Sequence, residues 1–84
     1  METLIMYTTS WCGDCRRAKA YLQSRGIAYQ EINIEESEGA AERVVQNNGG
    51  KRKVPTFEVA GRFFSCSPFQ ASVIDRELNL KPVA

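Results

Sequence analysis

Apolar residues recur along this chain with two alternating periods. Leu4-Ile5-Met6-Tyr7 is an unbroken apolar run, the pattern of a central strand covered on both faces. Thr8 to Trp11 turns the chain. From there to about Arg25, Cys15, Ala18 and Leu22 fall at helical spacing, with Arg16, Arg17, Lys19 and Gln23 outward. Gly26 suits the left-handed residue that ends such a helix. Between Ala28 and Ile34 the period shortens. Ile32 and Ile34 share one face and Glu31 and Asn33 the other, which predicts a half-exposed strand at a sheet edge. Strand, helix and strand within about thirty residues predict a right-handed βαβ unit with parallel strands.

The second half repeats the logic with shorter elements. Ser37 is placed to cap a helix with Glu38 in its first turn, Ala41, Val44 and Val45 form the apolar stripe, and Asn47-Asn48-Gly49-Gly50 stops it. Thr56 to Val59 alternates, with Phe57 and Val59 on one face. Ala60-Gly61 turns tightly into Arg62-Phe63-Phe64, a hairpin. Ser67-Pro68-Phe69-Gln70 has the form of a capping box with proline at the first helical position. The last helix shows Ala71, Ile74 and Leu78 on one face and is expected to stop before Pro82. The order βαβαββα predicts an α/β fold, a mixed four-stranded sheet flanked by helices, with residues 1–84 as one domain.

Composition narrows the function. A net charge of +1 gives no overall attraction to nucleic acid or to an anionic membrane. Leu4 to Met6 is too short for a signal core or a spanning helix, so a cytoplasmic protein is expected. A monomer is expected as well. Three cysteines are too few for a secreted disulfide scaffold, and the chain has no histidine. That removes imidazole catalysis and Cys-His zinc sites.

The remaining chemistry lies in Thr8-Thr9-Ser10-Trp11-Cys12-Gly13-Asp14-Cys15, where a strand meets a helix. A thiolate attacks a disulfide sulfur, so a redox site must favour ionisation of a group whose ordinary pKa is about 8.5. Cys12, at or just before the first helical turn, lies where unpaired N–H groups and the helix dipole favour negative charge. Cys15, about one turn on, is within reach to resolve a mixed disulfide on Cys12. Gly13 lets a partner backbone approach. Asp14 opposes a neighbouring thiolate, with Arg16 and Arg17 available to offset it. Two other readings exist. A zinc site would have only Cys66 as a further thiol and would need a carboxylate or a second chain; alternatively the cysteines are buried packing residues.

Tyr7 to Arg17, Gly26-Ile27-Ala28-Tyr29, Asn48-Gly49-Gly50 and Val54-Pro55-Thr56 together resemble a glutaredoxin, and most closely its mycoredoxin-like branch. The resemblance runs from about Leu4 to Leu78. It implies a thioredoxin fold, Cys12 as nucleophile, Cys15 as resolving thiol, and a cis peptide at Val54-Pro55 beside Cys12. It further implies that the Val54 backbone pairs with an extended thiol tripeptide or partner segment. No bound cofactor is implied. The reductant would be a low-molecular-weight thiol such as glutathione, mycothiol or bacillithiol, or a thioredoxin-reductase-type flavoprotein, and the substrates disulfide-containing proteins or mixed disulfides.

The chain also departs from the family pattern. Thr9 stands where a lysine is usual, and Phe64-Ser65-Cys66-Ser67-Pro68-Phe69 replaces a Gly-Gly pair followed by acidic residues. Arg52 keeps the positive charge expected near a ligand carboxylate. Trp11, Gly13, Asp14, Arg52, Val54, Pro55 and Ser67 are therefore the candidate substrate-binding residues around Cys12 and Cys15. Trp11 is either a wall of the groove or an aromatic packed over a helix end. Lys51-Arg52-Lys53 is either a carboxylate-receiving surface or a solvated loop, and Cys66 either a third redox thiol or a small packing residue. Phe57, Phe63 and Phe64 are either ligand-stacking or core aromatics. Two alternative activities follow: a hydrogen-donor redoxin recharged by thioredoxin reductase, and an iron-sulfur carrier bridging two chains through Cys12 and an external thiol.

Overall fold

The computed structural model describes residues 3–80. Its elements are β1 (Ile5–Thr8), α1 (Gly13–Ser24), β2 (Gln30–Asn33), α2 (Ala40–Gln46), β3 (Thr56–Val59), β4 (Arg62–Ser65) and α3 (Ala71–Glu77). The sheet runs in the order β2-β1-β3-β4, with β2 parallel to β1 and the other pairs antiparallel. The apolar run thus becomes an interior strand, and the half-exposed segment lies at the edge, as the patterns predict.

Alternation along the strands sorts the core into two layers. On one face Leu4, Met6 and Phe57 pack with Cys15, Ala18 and Leu22 of α1 and Ile74 of α3. On the other Tyr7 and Ile34 pack with Ala40 and Val44 of α2. The hairpin aromatics follow the same rule: Phe64 stacks on buried Phe57, and Phe63 stacks on Tyr7, each with ring centroids 5.0 and 6.5 Å apart respectively. Phe57 is core, and Phe64 and Phe63 are partly buried against the two core layers, which favours the packing role of the two offered. Ala60 and Gly61 both take positive φ, 51° and 77°, in the two-residue turn between β3 and β4.

Two expected helix starts are corrected. α2 begins at Ala40 rather than after Ser37. Gly39, at φ 81°, is its cap residue, and no side chain caps the helix. Ser37 instead contributes its carbonyl, which accepts the Ala40 N–H at 3.2 Å, so residues 37–39 form a preceding turn. The acid in the first turn is Glu42, not Glu38. Likewise α3 begins at Ala71 with Gln70 as cap, three residues beyond Pro68, and Ser67-Pro68 is a cis peptide outside the helix. Ser67 Oγ and the Phe69 N–H both turn to Asp14 on α1, so these donors serve a tertiary contact and not a capping box. α3 ends at Glu77, while Pro82 lies outside the described residues.

Candidate active site

β1 delivers the chain to the N-terminus of α1, where Cys12 is the cap residue at φ −89° and ψ 113°. Its Sγ accepts the Cys15 N–H at 3.0 Å. Helix caps are usually Ser, Thr, Asp or Asn, whose oxygen satisfies one of the unpaired N–H groups; here a sulfur does so. The Cys12 thiol also faces the Val54 carbonyl oxygen at 3.6 Å, so the Val54 backbone stands beside the sulfur. Val54-Pro55 is cis, as the resemblance implied, and Pro55 is fully buried. The Pro55 carbonyl in turn accepts the Cys66 N–H at 3.0 Å, fastening the segment after β4 to this loop.

All three cysteines are free thiols. Cys12 and Cys15 differ in setting. Cys12 keeps 7% of its surface exposed and Cys15 only 1%. Burial pushes the Cys15 thiol up to about 12, and its hydrogen bond with Cys12 adds to the rise. A hydrogen bond from the Thr9 backbone and the positive charge of Lys19 work the other way. The pair therefore consists of one thiol at the groove and one held protonated behind it.

Asp14 does not face an open groove. Its Oδ1 accepts the Phe69 N–H at 3.1 Å and pairs with Arg17 Nη1 at 3.1 Å, and Ser67 Oγ donates to Oδ2 at 3.4 Å. Its carboxylate is occupied by the chain's own donors and joins α1 to the segment before α3. Ser67 is thereby drawn beside α1 as a partner of Asp14. Gly13 is exposed as the first residue of α1. A Cβ there would meet only the Arg17 guanidinium, at 3.4 Å. Trp11 is 71% exposed, its indole N–H directed at Glu35 Oε2 at 3.5 Å, so it stands out from the surface and is not packed over a helix end. Lys51, Arg52 and Lys53 are exposed immediately before Val54.

Cys66 is buried in the same core layer as the pair, its sulfur 3.4 Å from both the N–H and the carbonyl oxygen of Gln70. Burial pushes this thiol up, and the negative charge of Asp14 adds to that while the Gln70 backbone opposes it. That is the setting of a packing residue.

Sequence reasoning missed Lys19 and the Phe69 N–H. Lys19 lies four positions after Cys15, the spacing that brings helical side chains together, and this was the available signal. It pairs with Glu31 at 3.0 Å, and Glu31 also accepts from Thr8 Oγ1 at 2.8 Å. Burial of Glu31 works against its ionisation, but these two donors outweigh it and lower the carboxyl below the usual range. The Phe69 contact is made by backbone, and no side-chain pattern announces it.

The glutaredoxin family model matches residues 4–64. This chain belongs to the glutaredoxin family. A Mycobacterium tuberculosis protein named as a glutaredoxin is 53% identical over 57 residues, which is 68% of each chain. Mycoredoxin 1 of Corynebacterium glutamicum is 34% identical over 74 residues, 88% of this chain and 91% of that one. Among solved structures, the glutaredoxin-like NrdH-redoxin of Escherichia coli superposes with a TM-score of 0.75 at 26% identity, covering 98% of this chain and 99% of its own. The sheet and helices are accordingly a thioredoxin-like fold, and this glutaredoxin is a thiol-disulfide oxidoreductase. No helix among the described residues is long and apolar enough to cross a membrane.

Proposed function

We propose that this glutaredoxin reduces protein disulfides and mixed disulfides of low-molecular-weight thiols through a Cys12-Cys15 dithiol. The observation that carries the reading is the placement of Cys12 Sγ at the cap of α1, beside the Val54 carbonyl, with Cys15 Sγ's residue directly behind it in the helix. The Cys12 thiolate attacks one sulfur of the substrate disulfide. A new S–S bond forms, the old one breaks, and the departing sulfur leaves as a thiolate that takes up a proton. With a protein disulfide, Cys15 loses its proton and attacks Cys12 Sγ. The second substrate thiol is released, and a Cys12-Cys15 disulfide remains for the reductant to reduce. With a mixed disulfide, a second molecule of the small thiol discharges Cys12 directly.

The burial of Cys15 supports this division of labour, since a thiol kept protonated does not compete for the incoming disulfide. Val54 and Pro55 offer backbone to an extended ligand, and Arg52 a charge for its carboxylate. Trp11 and Gly13 flank the approach, while Asp14 and Ser67 hold the neighbouring segment in place. The small thiol is glutathione, mycothiol or bacillithiol. A second reading, a hydrogen-donor redoxin recharged by a thioredoxin-reductase-type flavoprotein, draws on the likeness to the NrdH-redoxin, which is described as having a thioredoxin-like activity profile.

Cys12→Ser and Cys15→Ser, each assayed on a protein disulfide and on a mixed disulfide, test the mechanism. The expected result is no turnover of either substrate by Cys12→Ser. Cys15→Ser is expected to keep only the mixed-disulfide reaction. Full activity in Cys12→Ser would overturn it. Turnover of one mixed disulfide with glutathione, mycothiol, bacillithiol or thioredoxin reductase then separates the reductants.

A further inference from the structure

The strand order fixes a lateral order of charge at the redox end of the sheet. β1 and β2 run parallel and β3 runs antiparallel to β1, so the segments after β2, after β1 and before β3 all emerge at one end. Side by side, these carry Glu35, Glu36 and Glu38, then Cys12, then Lys51, Arg52 and Lys53. The acids and the bases are all exposed.

Among the described residues these flanking charges form no ion pairs, and Arg16 and Glu42 are the others of which that is true. Arg17, Lys19, Arg25, Arg43, Arg62 and Arg76 each pair with a carboxylate of the chain. Among the described residues Lys51, Arg52 and Lys53 pair with none, and Arg16 on the first turn of α1 joins them. Glu36 and Glu38 likewise have no cation, and Glu35 receives only the long Trp11 contact at 3.5 Å. Neighbouring strands lie about 4.8 Å apart, so β2 and β3, the strands from which the two flanks extend, lie about 10 Å apart on either side of β1. Three extended residues cross that span.

We propose that this end of the sheet is an oriented docking surface for a disulfide-bearing protein segment. Its cysteine has acidic side chains on one side, which face Lys51 to Lys53, and basic ones on the other, which face Glu35 to Glu38. This rests on the dithiol reading above and adds the substrate's charge order to it. Segregated charge steers encounter and excludes the reversed orientation, because reversal places like charges together on both flanks. Nucleic acid fits less well, since its phosphates would meet the glutamates of the same surface.

The test uses two peptides of one composition, each with a single cysteine in mixed disulfide with 2-mercaptoethanol. One has acidic residues before the cysteine and basic ones after, and the other the reverse. One isomer is expected to react about tenfold faster at low ionic strength, with the gap closing in high salt. Exchanging the flank charges (Lys51→Glu, Lys53→Glu, Glu36→Lys and Glu38→Lys together) should reverse the preference. Equal rates for the two isomers at low salt, with the uncharged 2-hydroxyethyl disulfide still turned over, would overturn the docking surface and leave the dithiol mechanism standing. An unaltered preference in the charge-exchanged variant, or competition by a short oligonucleotide, would also overturn it. An inert 2-hydroxyethyl disulfide would remove the reaction itself, and the docking surface with it.

Discussion

The two faces of the sheet are held together by different physics. Against α1 and α3 the layer is apolar, with Met6, Leu22, Phe57 and Ile74 fully buried, and all three thiols lie within it. Against α2 the layer is thinner and centres on a polar knot. There the Tyr7 hydroxyl donates to Glu58 Oε1 at 2.7 Å and accepts from Arg43 Nε at 3.2 Å, and Arg43 Nη2 reaches Glu58 Oε2 at 2.7 Å. The Arg43 bonds are the main reason the Glu58 carboxyl is lowered. Desolvation at Tyr7 raises its phenol, with the Glu58 hydrogen bond adding to the rise. The contrast teaches where redox chemistry can be kept. A resolving thiol stays protonated where desolvation outweighs the groups that oppose it, and the apolar face supplies that for Cys15.

Unequal truncations should expose the difference. Phe57→Ala on the apolar face is expected to cost about 3–5 kcal/mol in urea unfolding, because a fully buried ring leaves a cavity. A loss near 1 kcal/mol would mean that the apolar face is not the main support. Asp14→Ala, which unties α1 from the segment before α3, should cost about 1–2 kcal/mol by leaving the Phe69 N–H unpaired. Asp14→Asn should recover most of it, since an amide oxygen still accepts. Tyr7→Phe removes one hydroxyl from the polar knot and should cost about 1 kcal/mol.

Alkaline pH sharpens the same contrast. Above the ordinary thiol range the unfolded chain releases protons that folded Cys15 holds up to about 12, so the folded state loses ground as pH rises through that interval. Cys66 and Tyr7, both raised mainly by burial, act in the same direction. Unfolding free energy measured from pH 8 upward should therefore fall, and more shallowly in Cys15→Ala. An identical slope in that variant would show that Cys15 is not held protonated by the fold.

Much of this was legible from local pattern. The Leu4 to Tyr7 run, the spacing of Cys15, Ala18 and Leu22, and the Ala60-Gly61 turn each express a period or a backbone preference carried by neighbouring residues. The strand-to-helix placement of Cys12 followed from the same periods. What failed was capping at α2 and α3. Ser37 and Ser67 sit where a local rule expects a cap, yet a hydroxyl takes whichever partner the tertiary fold presents, and for Ser67 that is Asp14, distant in sequence. The orphan Thr9 hydroxyl, buried without a partner among the described residues, was equally illegible, because burial is a property of the assembled layers.

One consequence follows from the sulfur that caps α1. The Cys15 N–H donates to the very atom that reacts, with N and Sγ 3.0 Å apart, so its exchange with solvent and its chemical shift are coupled to the state of Cys12. A single backbone resonance can thus act as an internal gauge of turnover, read without labelling either thiol. Serine at the same position preserves an oxygen cap, which makes it the gentler way to silence the nucleophile, whereas alanine would loosen the first turn as well.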